Sequence, residues 1–206
     1  MSMRVGIGWD SHQFKAGVPL RLGGLAIEHD EGLAGHSDGD VLLHAITDAL
    51  LGAVSAGDIG TFFPPHDPRW KDADSAIFLN LAIEEIQNAG YRIVNVDTTL
   101  VLAAPKIGPV AMEIRERLAD MLDLEPNAVG IKAKTPEGMN LDHVAQAHAV
   151  VLLEKVEPDT DLKSLRAVIA DDDEVEDVVK SLISDVPRTL RRRPAVMPAF
   201  DTEDIT

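Results

Sequence analysis

Apolar residues along this chain come in short runs whose spacing switches between strand-like and helix-like. Val5 to Trp9, opening at Met3, predicts a buried first strand. Arg21-Leu22 and Leu25 to Glu28 flank Gly23-Gly24, the pattern of a short hairpin, and Glu31 to Gly35 reads as a turn-rich loop. Val41, Ile46, Ala49, Leu50 and Ala53 recur at helical spacing, with Ser37 as the expected N-cap and Asp40 at N3 of a capping box. On that helix Asp40, His44 and Asp48 fall at i, i+4 and i+8, so they are expected to share a face. Gly57-Asp58-Ile59-Gly60 ends it and opens an irregular stretch, Phe62 to Pro68. After Asp74-Ser75 a second helix is expected as far as Ala89, with Leu79, Ile83 and Ile86 on its apolar stripe and Gly90 as its stop. Tyr91 to Leu102 predicts a long strand, Pro109 to Leu122 a third helix, Val129 to Ala133 a strand and Ala147 to Val156 the last strand. The turns between them are Ala103 to Lys106 and Lys134 to Gly138.

Strands and helices that interleave in this way, with hairpin-like antiparallel pieces, predict an α+β (α/β layered) fold: one mixed β-sheet with helices packed on one face. From Glu157 the character changes. Leu162, Leu165 and Ile169 form one helical stripe, and acidic Asp171 to Glu174 precedes Val175, Val178, Val179, Leu182 and Ile183 until Pro187. The expected organisation is therefore a domain over 1–157 followed by a helical extension and tail over 158–206. The tail's Arg191-Arg192-Arg193 is read as a solvated triplet.

Composition narrows the chemistry. The 206 residues contain no cysteine, which excludes disulfides, thiolate metal sites and a cysteine nucleophile. A formal charge of −16 argues against a nucleic-acid surface, so an anionic substrate must be held locally by metal ions, backbone N–H groups and a few lysines. No apolar run is long enough to span a bilayer and the N-terminus lacks a signal pattern, so a cytoplasmic protein is expected.

Candidate chemistry concentrates in Asp10-Ser11-His12 and in His36 to His44. On a strand, Asp10 and His12 point the same way. A carboxylate and two imidazoles, with His44 supplied by the helix, suit a tetrahedral Zn²⁺ site with one open position. The same spacing also suits an aspartate that caps a turn and two ordinary histidines.

Taken together, Asp10-Ser11-His12, His36-Ser37-Asp38-Gly39-Asp40, His44, Thr47 to Gly52, Gly57 to Gly60, Asn95-Val96-Asp97, Ala104-Pro105-Lys106, Lys132-Ala133, Thr135 and Glu137 resemble the 2-C-methyl-D-erythritol 2,4-cyclodiphosphate synthases. These are the cyclases of the non-mevalonate isoprenoid pathway, and the resemblance covers about residues 3–156. It implies a homotrimer with the sheets facing the threefold axis and active sites at subunit boundaries. It implies closure of a cyclic diphosphate from 4-diphosphocytidyl-2-C-methyl-D-erythritol 2-phosphate with release of CMP. Asp10, His12 and His44 match the Zn²⁺ ligands, and Glu137 the residue holding Mg²⁺ or Mn²⁺. His36 and Thr135 match groups that steady the transition state. Ser37, Asp58, Ile59, Gly60, Phe63 and Asp67 match contacts to phosphate and the methylerythritol end. Ala104, Pro105, Lys106, Lys134 and Leu141 match the cytidine side, which the resemblance assigns to the neighbouring subunit.

Departures from the family pattern are Leu141, where many members carry an aromatic residue, and Val144, where many bacterial members carry an arginine that faces an isoprenoid diphosphate on the trimer axis. His143 and His148 lie near that position, and Lys134 and Pro136 replace threonines. The extension is expected to be dispensable for catalysis, and either to recruit another pathway enzyme or simply to cover hydrophobic surface. A Zn²⁺ phosphohydrolase and a non-catalytic nucleotide-binding module are the alternatives.

Overall fold

A computed structural model describes residues 2–156. The expectations for helices and a tail beyond Glu157 lie outside the described residues. Five strands form a mixed sheet in the order β4 (Glu31–Leu33), β1 (Met3–Ala16), β7 (Val144–Lys155), β5 (Tyr91–Val101), β6 (Val129–Lys134). Only β5 and β6 pair in parallel; the other pairs are antiparallel. A separate hairpin joins β2 (Leu20–Leu22) to β3 (Leu25–Ile27) across Gly23-Gly24, as the sequence pattern predicts. The helices are α1 (Val41–Ala53), the single turn α2 (Ile59–Phe62), α3 (Ser75–Asn88) and α4 (Ala111–Leu122). No helix among the described residues is long and apolar enough to cross a membrane.

The alternation along β1 decides how the layers stack. Gly6 and Gly8 face α1 so closely that a Cβ on either would lie 1.8 Å or 1.9 Å from the carbonyl oxygen of Ala49 or Ala45. On β7 the same face presents buried Ala145, Ala147, Ala149, Val151 and Leu153. Small side chains on both strands let the helix backbone rest on the sheet. Because side chains alternate, Asp10 and His12 share the face of Gly6 and Gly8 and point toward the helix layer. The odd positions Met3, Val5, Ile7 and Trp9 look the other way, and no helix among the described residues covers them: Ile7 is 73% exposed and Val5 65%.

Three boundaries differ from the sequence expectation by three residues or more. β1 runs to Ala16 rather than Trp9, because Phe14 to Ala16 pair with Glu31 to Leu33, the segment read as a loop. β7 begins at Val144 rather than Ala147; its first residues alternate small and polar, so no apolar run marks them. The third difference is at the start of α1. Asp40, not Ser37, is the N-cap: its carboxylate accepts from the Leu42 and Leu43 amides at 3.2 and 3.1 Å. It also accepts from the Gly23 and Gly24 amides at 2.9 and 2.7 Å, which ties the β2–β3 hairpin to the helix. Asp40 is thus fully buried rather than on a shared face with His44 and Asp48. Burial raises its pKa, and the amide donors act against that rise.

Candidate active site

β1 and α1 bring Asp10, His12 and His44 together. Asp10 Oδ2 lies 2.9 Å from His12 Nε2 and 2.9 Å from His44 Nδ1, and the two ring nitrogens are 3.1 Å apart. Tetrahedral Zn²⁺ with bonds near 2.0–2.1 Å keeps its donors roughly 3.3 Å apart, so this donor set and spacing fit that ion. All three groups are at least partly buried, but the trio is not sealed: the Asp10 side chain keeps 26% of its exposure, enough for a further ligand to approach. Burial works against charge on Asp10, yet hydrogen bonds from His12 and His44 outweigh it and hold the carboxyl well below its ordinary value. Burial likewise opposes a charged His12, but the Asp10 carboxylate prevails and raises its pKa above 6.5. A backbone hydrogen bond to Ala34 steadies the His12 ring.

The outer nitrogen of His44 is also engaged. Nε2 lies 2.8 Å from Ser75 Oγ and 3.1 Å from Ser37 Oγ. The Ser75 hydroxyl donates to Asp38 Oδ1, and its amide lies 3.3 Å from Asp38 Oδ2. Ser75 is fully buried at the first turn of α3, and sequence periodicity gives it no role beyond helix initiation. Asp48, expected from its spacing on the face of His44, accepts the Ile59 amide at 2.8 Å and so sets where α2 begins.

Around this trio lie other residues singled out from the sequence. His36 is exposed, and its Nε2 is 3.1 Å from the Asp67 carbonyl oxygen. Asp67 also caps a 3-10 turn at Pro68–Trp70 and pairs with Arg69 at 2.9 Å. Asp58 caps α2, accepting the Thr61 amide at 2.8 Å; Ile59 and Gly60 form its first turn. Phe63 is buried, its ring 4.3 Å from Phe78 and 4.8 Å from Trp70, in an aromatic cluster that anchors the irregular loop. Phe78 in turn lies 6.0 Å from the His44 ring.

A second group gathers at the far edge of the sheet. Pro105, Lys106, Lys134 and Thr135 line a cavity of about 320 Å³ with Leu102, Ile107, Gly108, Pro109 and Ala133; the Ala104–Pro105 peptide is cis. The Thr135 hydroxyl donates to Glu137, whose backbone is left-handed at φ +48°. Leu141 lies away from this cavity, at the entry to β7, where its carbonyl accepts the Val144 amide at 3.0 Å and the His143 carbonyl accepts the Phe14 amide of β1 at 2.9 Å. The cavity does not meet the trio within one chain. Asp10 pairs with Ala147 on β7, Ala147 with Leu100 on β5, and Leu100 with Ala133 on β6. Three strand spacings therefore separate them, roughly 14 Å.

Residues 3–154 match the YgbB family. The chain belongs to that family. Among its relatives, the 2-C-methyl-D-erythritol 2,4-cyclodiphosphate synthase of Koribacter versatilis is 67% identical over 153 residues, 74% of this chain and 99% of that one. A solved structure of a 2C-methyl-D-erythritol-2,4-cyclodiphosphate synthase in its CDP-bound form is 41% identical, with a TM-score of 0.70 over 73% of this chain and all of the other. The bifunctional IspDF from Campylobacter jejuni is 33% identical, with a TM-score of 0.73 over 76% of this chain and 43% of its own length. The YgbB match stops at residue 154, so the extension stands outside it. Within the match lie the trio, the edge cavity and the loop joining them to their strands.

Proposed function

We propose that this chain converts 4-diphosphocytidyl-2-C-methyl-D-erythritol 2-phosphate to 2-C-methyl-D-erythritol 2,4-cyclodiphosphate and CMP, as a metal-dependent phosphorus–oxygen lyase. The observation that carries this reading is the convergence of one carboxylate oxygen and two imidazole nitrogens, all about 3 Å from one another, in a family of cyclodiphosphate synthases. Asp10, His12 and His44 would hold Zn²⁺, and Glu137 would hold Mg²⁺ or Mn²⁺. When bound, the ions screen the charge that accumulates as two phosphoryl groups approach and polarise the phosphorus under attack.

The chain's own residues position and stabilise. The nucleophile is an oxygen of the substrate's 2-phosphate, already ionised near neutrality, so no strong general base is required. A bond forms from that oxygen to the β-phosphorus, the bond from the β-phosphorus to the bridging oxygen breaks, and that oxygen leaves with CMP. His36, Ser37 and Thr135 supply hydrogen bonds to phosphoryl oxygens as charge spreads over them. Asp58, Ile59 and Gly60 at the start of α2 receive the methylerythritol hydroxyls, with the Phe63–Asp67 loop beside them. Ala104, Pro105, Lys106, Lys134 and Leu141 take the cytidine side.

One diphosphate cannot reach both groups on one chain across roughly 14 Å of sheet, since its phosphorus atoms are neighbours. This supports a site shared between chains. The apolar face of β1 and β7, exposed among the described residues with Val150 beside Ile7, supports a homotrimer whose sheets face a common axis.

The test is to incubate the protein with the substrate, Zn²⁺ and Mg²⁺ and follow phosphorus resonances. Cyclic diphosphate and CMP in equal amounts are expected. A hydrolysed nucleotide without ring closure would instead favour the phosphohydrolase reading.

A further inference from the structure

We propose that Ser75 and Asp38 are positioning residues for the metal trio, forming a hydrogen-bonded chain that fixes the tautomer and ring orientation of His44. The inference rests on the reading of Asp10, His12 and His44 as a metal site. It follows from counting protons. The Asp38 carboxylate only accepts, and it receives both the hydroxyl and the amide of Ser75. The single hydroxyl proton of Ser75 is thereby committed, so toward His44 its oxygen offers only a lone pair. At 2.8 Å from that oxygen, His44 Nε2 must be the donor. A neutral imidazole carries one N–H, so once a metal ion takes the place of the proton between Nδ1 and the Asp10 carboxylate, Nε2 keeps the N–H and Nδ1 offers its lone pair to the point it shares with His12 Nε2 and Asp10 Oδ2. Ser37 Oγ, 3.1 Å from the same nitrogen, is a second acceptor for that proton. Its own hydroxyl proton then remains available to a ligand.

The parts of this chain of bonds cannot easily drift. Ser75 is fully buried and fixed by the start of α3, where Asp74 caps the Ala76 amide at 2.9 Å. Asp38 is tied by its amide to the Ala73 carbonyl at 3.0 Å, and Arg21 Nε lies 3.9 Å from its other carboxylate oxygen. The β4–α1 loop and the start of α3 are therefore held to each other directly over the outer edge of the His44 ring.

The experiment measures zinc affinity of the 206-residue chain by competition with a chromogenic chelator, with the visible spectrum of the Co²⁺-substituted protein as a report on ligand geometry. Ser75→Ala is expected to weaken zinc about 10- to 100-fold and to alter the Co²⁺ bands, with Asp38→Asn changing both in the same direction by less. Asp74→Ala, which removes the α3 cap without touching His44, is expected to lower the melting temperature and leave zinc affinity within about twofold of wild type. A Ser75→Ala chain that folds and binds zinc as wild type does would overturn the proposal. So would an Asp74→Ala chain that loses as much affinity as Ser75→Ala, because helix placement would then explain both. The wild-type and His44→Ala titrations separate the two levels: equal zinc binding by these would refute the metal site itself.

Discussion

The two halves of the candidate site are built in opposite ways. Asp10, His12 and His44 project from the middle of a long strand and the start of a buried helix, and the His12 and His44 rings are each held by a contact outside the trio, to the Ala34 backbone and to Ser75. Thr135 and Glu137 lie just past the end of the edge strand β6, in a loop where Glu137 and Asn140 adopt left-handed backbone at φ +48° and +59° and Met139 is 62% exposed. Rigid elements suit donors that must meet within a few tenths of an ångström. An exposed loop at a sheet edge suits a group that completes a site on another chain. The difference predicts that the halves can be damaged separately and repaired by mixing.

The largest effects fall on this point. His44→Ala should abolish zinc binding and CMP release, and Glu137→Gln should lower turnover about 10²- to 10³-fold with zinc content unchanged. Co-expressed, the two inactive chains should recover about one quarter of the wild-type rate per site under random assembly, since a site drawing each half from a different chain can pair two intact halves. Mixtures with no activity, each chain remaining folded, would mean that both halves come from one chain.

A smaller but still large effect is expected from the apolar face that is exposed among the described residues. Ile7→Lys places a charge where Ile7 is 73% exposed and pairs with Val150. If a second and third sheet cover this face, sedimentation should show dissociation to monomers and turnover should fall with it, while the isolated fold survives. An unchanged sedimentation coefficient would remove the apolar face from the argument.

Much of this fold was legible because its signals are local. The glycine pair of the β2–β3 hairpin, the periodicity of α1 and α3 and the long β5 run each depend on neighbours in sequence. What escaped depends on partners distant in sequence. β1 continues past Trp9 through polar Ser11, Gln13 and Lys15 because β4 and β7 pair with it, and no pattern in those residues announces that. Asp40 read as the N3 member of a capping box because two of its four amide donors come from a hairpin distant in sequence, Gly24 being 16 residues before it. The three metal-ligand candidates could be named from residue type and order, but Ser75 could not: a serine at a helix start has an ordinary local explanation, and only the fold brings it to His44.

Asp40 tests that distinction between local and distant support. Asp40→Ala leaves the Gly23, Gly24, Leu42 and Leu43 amides without their carboxylate partner in a fully buried place. A loss of at least about 3 kcal/mol in unfolding free energy is expected, measured by urea denaturation. A simple N-cap would give about 1 kcal/mol, and a loss of that size would show that the hairpin contributes nothing through this residue.

The smallest predicted effect concerns the loop beside the trio. Hydrogen bonds from Arg69 pull the Asp67 carboxyl down from 3.8 to about 2. A carboxyl lowered on folding gives stability that is fully present above its unfolded value and is lost as pH falls through its folded value. The contribution of Asp67 should therefore be constant above pH 3.8 and fade between there and about 2. Arg69 lies 5.3 Å from the Trp70 ring centre, so Trp70 emission, in a Trp9→Phe background, reports on the loop. Wild type should show an acid transition in that window which Asp67→Asn lacks, the variant's emission at neutral pH already resembling the acid form. Arg69 is exposed and Asp67 only half-buried, so the shift in stability is expected to be slight. A transition of the same size and midpoint in Asp67→Asn would assign the titration to another carboxyl and leave the loop held by the Phe63–Trp70–Phe78 cluster alone.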